Sequence, residues 1–293
     1  MNCSKPFIKD GGAFGCGQCI ACRINKRREW KHRLILEAYQ HEENAFITLT
    51  FDEDNYPEHH SVERRTAQLF LKRLRKAYGG RIRYFLVGEY GDETGRPHYH
   101  AALFGYSRCE NGSTRYDRSG NVKCCPNCHR VSDAWGYGRI QVAELEPQSM
   151  GYICGYVTKK MTKDDDPRLE GRLPEFATMS LRPGIGYDAM HDLADVLMKF
   201  DLDLYDDVPL ELQHGKEKLP LGQYLRRNLR LMVGKDASTP DSTLEKYKEK
   251  LRPLRESAFN NSRSFKEEVL AASLGRRIQL EAKQKRNKDR KTL

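Results

Sequence analysis

Ile82-Arg83-Tyr84-Phe85-Leu86-Val87-Gly88-Glu89-Tyr90 is followed, across Gly91-Asp92-Glu93-Thr94-Gly95-Arg96-Pro97, by His98-Tyr99-His100-Ala101-Ala102-Leu103-Phe104. Two apolar runs joined by a Gly-rich polar connection read as antiparallel neighbours in a hairpin. Successive side chains of a strand take opposite faces, so His98 and His100 point one way and Tyr99 the other. Glu89 closes the first run at the same end of the hairpin as His98. Taken alone, a His-x-His strand pair is more often hydrogen-bonded or solvent-facing histidine. With a carboxylate beside it, the trio Glu89, His98 and His100 becomes a candidate metal site of two nitrogens and one oxygen.

Outward from this hairpin, strands are expected at 46–51 and 139–144 and helices at 61–78 and 148–161. The class is α+β, a central antiparallel sheet backed by helices. In the second helix Tyr152 and Tyr156 stand four residues apart, one above the other, with Lys159 and Lys160 a turn further on the same stripe. A tyrosine pair at this spacing is commonly core packing with wet hydroxyls. Gly151 and Gly155 weaken the helix but allow another backbone, of DNA or of the sheet, to approach closely.

Taken in order, Phe46-Ile47-Thr48-Leu49-Thr50-Phe51, His98-Tyr99-His100 and Tyr152-x-x-x-Tyr156-x-x-Lys159-Lys160 resemble the three motifs of rolling-circle replication initiators, the HUH endonucleases with two tyrosines. Cys16-Gly17-Gln18-Cys19-Ile20-Ala21-Cys22-Arg23 and the run from Phe176 to Gly186 resemble more narrowly the initiators of microviruses of the gokushovirus branch. The likeness extends over about residues 1–186. It implies a site-specific nickase and strand transferase. Glu89, His98 and His100 would hold Mg²⁺ or Mn²⁺ against the scissile phosphate. One tyrosine would become joined to the 5′ phosphate, leaving a 3′ hydroxyl as primer, and the second would serve the rejoining of the displaced strand into a circle. Lys160, with Lys159 second, would lower a phenol pKa or hold a phosphate oxygen. Implied partners are single-stranded and origin DNA, a host helicase and the replication machinery, in the cytoplasm of a bacterial host. Two other readings stay open: a conjugative relaxase or single-strand transposase with the same chemistry, and a non-catalytic zinc-finger DNA-binding protein.

Composition agrees with a nucleic-acid partner. The 293 residues carry a formal charge of +10, and 38% are hydrophobic, a lean but sufficient core. No apolar stretch is of membrane-spanning length and no signal-peptide pattern opens the chain, so no membrane association is expected. No phosphate-cradling Gly-x-x-x-x-Gly-Lys motif is present. The nine cysteines sit at tight spacings, which favours reduced thiols or metal over a disulfide framework. Cys3, Cys16, Cys19 and Cys22 form a candidate structural zinc site, with iron–sulfur ligation as the alternative. Cys109, with Cys124 or Cys125 and Cys128, forms a weaker candidate that otherwise reads as a reduced surface loop. Three regions are expected: 1–45, a cysteine-rich segment and basic amphipathic helix; 46–163, the endonuclease core with a cysteine-containing insert at 107–130; and 164–293, mostly helical with a basic tail. The aspartates from 188 to 207 read as a solvated face. From Arg276 to the end, eight Lys or Arg stand against two acids, an arm suited to phosphates. Arg27 and Arg28 on the basic helix, Arg96 beside His98, and Arg276 and Arg277 in the arm are the candidate DNA contacts.

Overall fold

The computed structural model describes residues 2–91, 94–159 and 167–289, without the side chains of 157–159, 168 and 287–289. In chain order the strands are β1 (Phe7–Lys9), β2 (Gly12–Phe14), β3 (Asn44–Thr50), β4 (Arg83–Tyr90), β5 (Pro97–Phe104), β6 (Ile140–Glu144), β7 (Phe176–Met179), β8 (Glu211–His214) and β9 (Glu217–Pro220). The helices are α1 (Ile20–Tyr39), α2 (Arg64–Tyr78), α3 (Pro126–Trp135), α4 (Pro147–Lys159), α5 (Ala189–Lys199), α6 (Gly222–Met232), α7 (Asp241–Asn260), α8 (Phe265–Ala272) and α9 (Leu274–Asp289). They fall in two compact units, Trp30–Asp192 on one hand and Met1–Glu29 with Leu193–Leu293 on the other.

The Trp30–Asp192 unit is built on a five-stranded sheet of order β6-β3-β5-β4-β7, antiparallel throughout. β4 and β5 are central and almost wholly buried, which explains their near-continuous apolar sequence. β3 alternates instead: Ala45, Ile47 and Leu49 are buried while Phe46, Thr48 and Thr50 are half-buried on the other face. That first face receives α2. Ala67, Phe70, Leu71 and Leu74, at helical spacing, join Ile47, Leu49, Tyr99 and Trp135 in one core. Gly79 ends α2 in the left-handed conformation at φ 73°, its N–H returning to the Arg75 carbonyl. The helix starts at Arg64 rather than at 61 because the amides before it are taken. Val62 N–H donates to the Tyr90 hydroxyl at 3.2 Å and Glu63 N–H to the Tyr99 hydroxyl at 2.9 Å.

Between β5 and β6 the insert contains a true helix, α3, whose Val131, Ala134 and Trp135 are buried. On the other sheet face Trp30 packs on Phe85 with ring centroids 5.2 Å apart. The C-terminal half of α1 is not a solvated basic helix. His32 to Glu37 are buried, Arg33 donates to the Ile185 carbonyl at 2.9 Å, and Arg83 from β4 pairs with Glu37.

In the other unit, β1 and β2 form a hairpin against α7, where the Tyr247 hydroxyl and Arg255 guanidinium donate to the carbonyls of Ala13 and Gly11. α8 opens on a capping box between Ser264 and Glu267. Asp207 departs from the expected solvated acidic face. Its carboxylate accepts Arg226 at 2.6 Å and the buried Arg230 at 2.6 Å and 2.9 Å.

Candidate metal centre and tyrosine pair

The register of the β4–β5 hairpin sets Glu89 directly opposite His98 and Val87 opposite His100, while β3 sets Thr48 opposite His100. Gly91 N–H closes the connection on the Arg96 carbonyl at 3.0 Å. Just before Glu89, Gly88 leaves room that a side chain would take: a Cβ there would meet the rings of Phe176 at 2.8 Å and Tyr99 at 3.1 Å. Nε2 of His98 and Nε2 of His100 lie 2.9 and 3.0 Å from the same oxygen, Oε1 of Glu89. Glu89 is 1% exposed.

The outer nitrogens of both rings are engaged. Nδ1 of His98 faces the Arg96 carbonyl at 3.1 Å, and Nδ1 of His100 faces Thr48 Oγ1 at 2.9 Å. A carbonyl only accepts, so neutral His98 carries its proton on Nδ1 and turns a bare Nε2 lone pair toward the carboxylate. Two such lone pairs aimed at one carboxylate oxygen repel unless a proton or a cation lies between them. The donor set therefore fits a divalent ion, and the Nδ1 contacts are the outer supports that metal-binding histidines use.

The tyrosines of α4 lie over this trio. The rings of Tyr152 and Tyr156 are 4.7 Å apart at 81°. Tyr156 lies nearly parallel to His100 at 5.8 Å, and Tyr152 meets the same imidazole edge-on at 5.2 Å. Phe46 stacks on His100 at 5.6 Å and touches the edge of Tyr152 at 6.5 Å. The pair is unequal: Tyr152 is 44% exposed and Tyr156 only 7%. Burial, then hydrogen bonding to Tyr152 and the negative charge of Glu89, pushes the Tyr156 phenol far above its ordinary range. Phe46 and Thr48 contribute to this site beyond the residues singled out from motifs. The alternation of β3 already sets both on the face of the histidines.

Lys159 ends α4, with its side chain outside the described residues, and Lys160 lies outside them altogether. Arg96 pairs with Glu53 at 2.5 Å, donates to the Phe51 carbonyl and covers the Tyr56 ring, bracing the hairpin beside His98. Arg27 is exposed, and Arg28 donates to the Lys218 carbonyl at 2.5 Å. Arg276 is exposed on α9, while the half-buried Arg277 donates to the Leu270 carbonyl at 3.3 Å.

Both cysteine groups assemble. The Sγ atoms of Cys3, Cys16, Cys19 and Cys22 lie within 4.8 Å of one another, as do those of Cys109, Cys124, Cys125 and Cys128. In the first group backbone N–H groups of Lys5 and Cys16 point at Cys3 Sγ, and those of Gln18 and Cys19 at Cys16 Sγ, at 3.2–3.4 Å. Such donors favour thiolates. The Cys19 thiol falls to about 6; burial opposes this but is outweighed by hydrogen bonds from Cys22 and Ser4 amides and neighbouring thiols.

Residues 44–161, from the start of β3 to just beyond α4, match the family model for replication-associated protein ORF2. The chain is 30% identical over 173 residues to replication-associated protein VP4 of Bdellovibrio phage phiMH2K, covering 56% of this chain and 54% of that protein. It is 28% identical over 180 residues to replication-associated protein ORF4 of Chlamydia phage 1, covering 59% and 45%. With replication-associated protein ORF2 of Spiroplasma virus 4 it shares 29% identity over 188 residues, covering 59% and 56%. The chain resembles phage replication-associated proteins. It spans about half the length of these curated relatives. No solved structure matches the chain. The resemblance read from the motifs thus meets an independent likeness over the residues that form the metal centre and the tyrosine pair. Among the described residues no helix is long and apolar enough to cross a membrane.

Proposed function

We propose that this chain initiates rolling-circle replication of a phage genome as an HUH-type nickase and strand transferase. What supports the reading is one arrangement: Glu89, His98 and His100 meet on a sheet face, and the rings of Tyr152 and Tyr156 lie 5.2 and 5.8 Å from that of His100. The names of the relatives bring phage replication, and with it origin DNA, to the same residues.

Glu89, His98 and His100 would hold Mg²⁺ or Mn²⁺, which supplies positive charge to the scissile phosphate. A neutral phenol is a weak nucleophile, and a phosphodiester repels an anion. Tyr152, open to solvent, is the phenol that incoming single-stranded DNA meets first, and it begins the reaction. Its oxygen bonds to phosphorus while the bond to the 3′ oxygen breaks; the departing oxygen takes a proton and remains as the 3′ hydroxyl primer. The phosphotyrosine keeps the energy of the broken bond. Tyr156 then cuts the regenerated origin, and the new 3′ hydroxyl attacks the first linkage, which closes the circle and frees Tyr152. Lys160, or Lys159, would assist loss of the phenol proton or hold a phosphate oxygen. Arg27, Arg28, Arg96, Arg276 and Arg277 would hold DNA backbone, unwinding would fall to a host helicase, and the site of action would be the cytoplasm of a bacterial host. The N-terminal thiol group would hold a structural Zn²⁺.

End-labelled single-stranded oligonucleotides tiled across the cognate genome test this. With Mn²⁺ the wild-type chain should cut one of them at a single position, whereas His98→Ala and Glu89→Ala should bind it with ordinary salt sensitivity and not cut. Full cutting by His98→Ala in metal-free buffer would contradict the reading.

A further inference from the structure

β6 is the outer strand of the five-stranded sheet on one side. An outer strand offers a row of unpaired N–H and C=O groups to any other chain. Here the insert after β5 runs along it. Thr114 Oγ1 accepts the Val142 N–H at 2.8 Å, and the Tyr116 hydroxyl accepts the Ile140 N–H at 2.8 Å while donating to the Ile140 carbonyl. Ser113 pairs with Ala143 as a single bridge. Side chains and one bridge, rather than a continuous ladder, make this cover, so the segment needs an anchor at its ends.

Cysteines stand at both ends. Cys109 precedes the covering stretch, Cys124 and Cys125 follow it, and Cys128 sits in the first turn of α3. Their sulfurs are separated by 3.4 Å (Cys109 to Cys124), 4.0 Å (Cys125 to Cys109) and 3.7 Å (Cys125 to Cys128). A zinc–sulfur bond of about 2.3 Å sets the corners of a sulfur tetrahedron about 3.8 Å apart. An iron–sulfur cluster inserts its own sulfides between cysteines and demands wider spacing, whereas all four sulfurs here lie within 4.8 Å of one another. Packing alone accounts for the buried Cys109, Cys125 and Cys128 as small apolar residues but not for Cys124, which is half-buried. Two donors also face the sulfurs, Asn111 Nδ2 at 3.5 Å from Cys124 and Thr114 Oγ1 at 3.3 Å from Cys128. Thr114 is the residue that reaches Val142, so it links the sulfur group to the edge strand.

We propose that Cys109, Cys124, Cys125 and Cys128 bind one Zn²⁺, and that this four-thiolate clasp holds the insert over the open edge of β6. The inference is independent of whether the tyrosines cut DNA. Bound zinc would add directly to the stability of this connection, and its removal would expose β6 as a template for pairing with a second chain.

The test uses the full chain purified under reducing conditions, as wild type, Cys124→Ala and Cys124→His, with metal content and residue-resolved hydrogen exchange as readouts. Zinc should fall by one per chain in Cys124→Ala and be retained in Cys124→His, because imidazole replaces thiolate in zinc sites. The amides of Ile140 and Val142 should exchange at least about tenfold faster in Cys124→Ala than in wild type. Should Cys124→Ala fail to fold, chelation of the wild-type chain must give the same faster exchange in 109–128 and 140–144. Unchanged zinc in a folded Cys124→Ala, iron in place of zinc, or disulfides among these cysteines would overturn the site. Loss of zinc without faster exchange in β6 would overturn the clasp.

Discussion

His100 carries three relationships at once: Nε2 toward Glu89, Nδ1 toward Thr48, and its face against Phe46. The partner on Nδ1 orients the ring and raises its basicity as a ligand. Thr48→Val keeps shape and β propensity but removes that partner. It should weaken Mn²⁺ binding about 10–100-fold, measured by calorimetry, with little change in thermal stability. Unchanged affinity would show that Thr48 does not orient the imidazole. Glu89, His98 and His100 could be picked from the chain because alternation and a hairpin turn suffice to bring them together. Thr48 could not, since its role depends on the β3–β5 register, which no local pattern encodes.

Among the elements, the four strands of the core read correctly where alternation or a long apolar run was bounded by turn residues. β7 escaped as a strand because Phe176–Met179 is only four residues long and its partner β4 is far off in sequence. α3 was hidden inside a stretch dominated by cysteine and polar residues, although Pro126 at its start and Gly136 at its end are ordinary helix punctuation. α1 read as basic and solvated because charge pattern does not reveal a buried ion pair. Glu37 and Arg83 are 1% and 4% exposed, and Gly186 N–H donates to the second Glu37 oxygen at 2.7 Å. Arg83→Met, which leaves the Glu37 charge uncompensated, should cost about 3–5 kcal/mol in denaturant unfolding.

The same pair sets a pH dependence. Burial resists ionisation of Glu37, but hydrogen bonds from His41, Arg83 and Gly186 outweigh it and hold the carboxyl below its ordinary 4.5. The unfolded chain therefore takes up the proton first. The stabilisation is complete above pH 4.5 and is lost as pH falls from there through the folded value. In Glu37→Gln this part of the acid slope should vanish, and an unchanged slope would refute the assignment.

At the scale of the molecule, the division of labour follows chemistry more than chain order. The Trp30–Asp192 unit contains the metal centre, the tyrosines and one thiol group, and the other unit contains the second thiol group and the basic helix α9. Cysteine spacing was enough to nominate both thiol groups. It could not show that adjacent Cys124 and Cys125 both join one group, because that depends on how the chain turns into α3. The acidic stretch showed the opposite weakness, since Asp207 meets its arginines 19 and 23 residues later. The central claim concerns the unequal tyrosines, 44% and 7% exposed. Its most direct test is mass-spectrometric mapping of the covalent adduct formed with a single-stranded origin oligonucleotide and Mn²⁺. The adduct should lie mainly on Tyr152, persist on Tyr152 in Tyr156→Phe, and be absent when both are Phe. An adduct that survives in the double Phe variant, or none at all in the wild-type chain, would contradict the account.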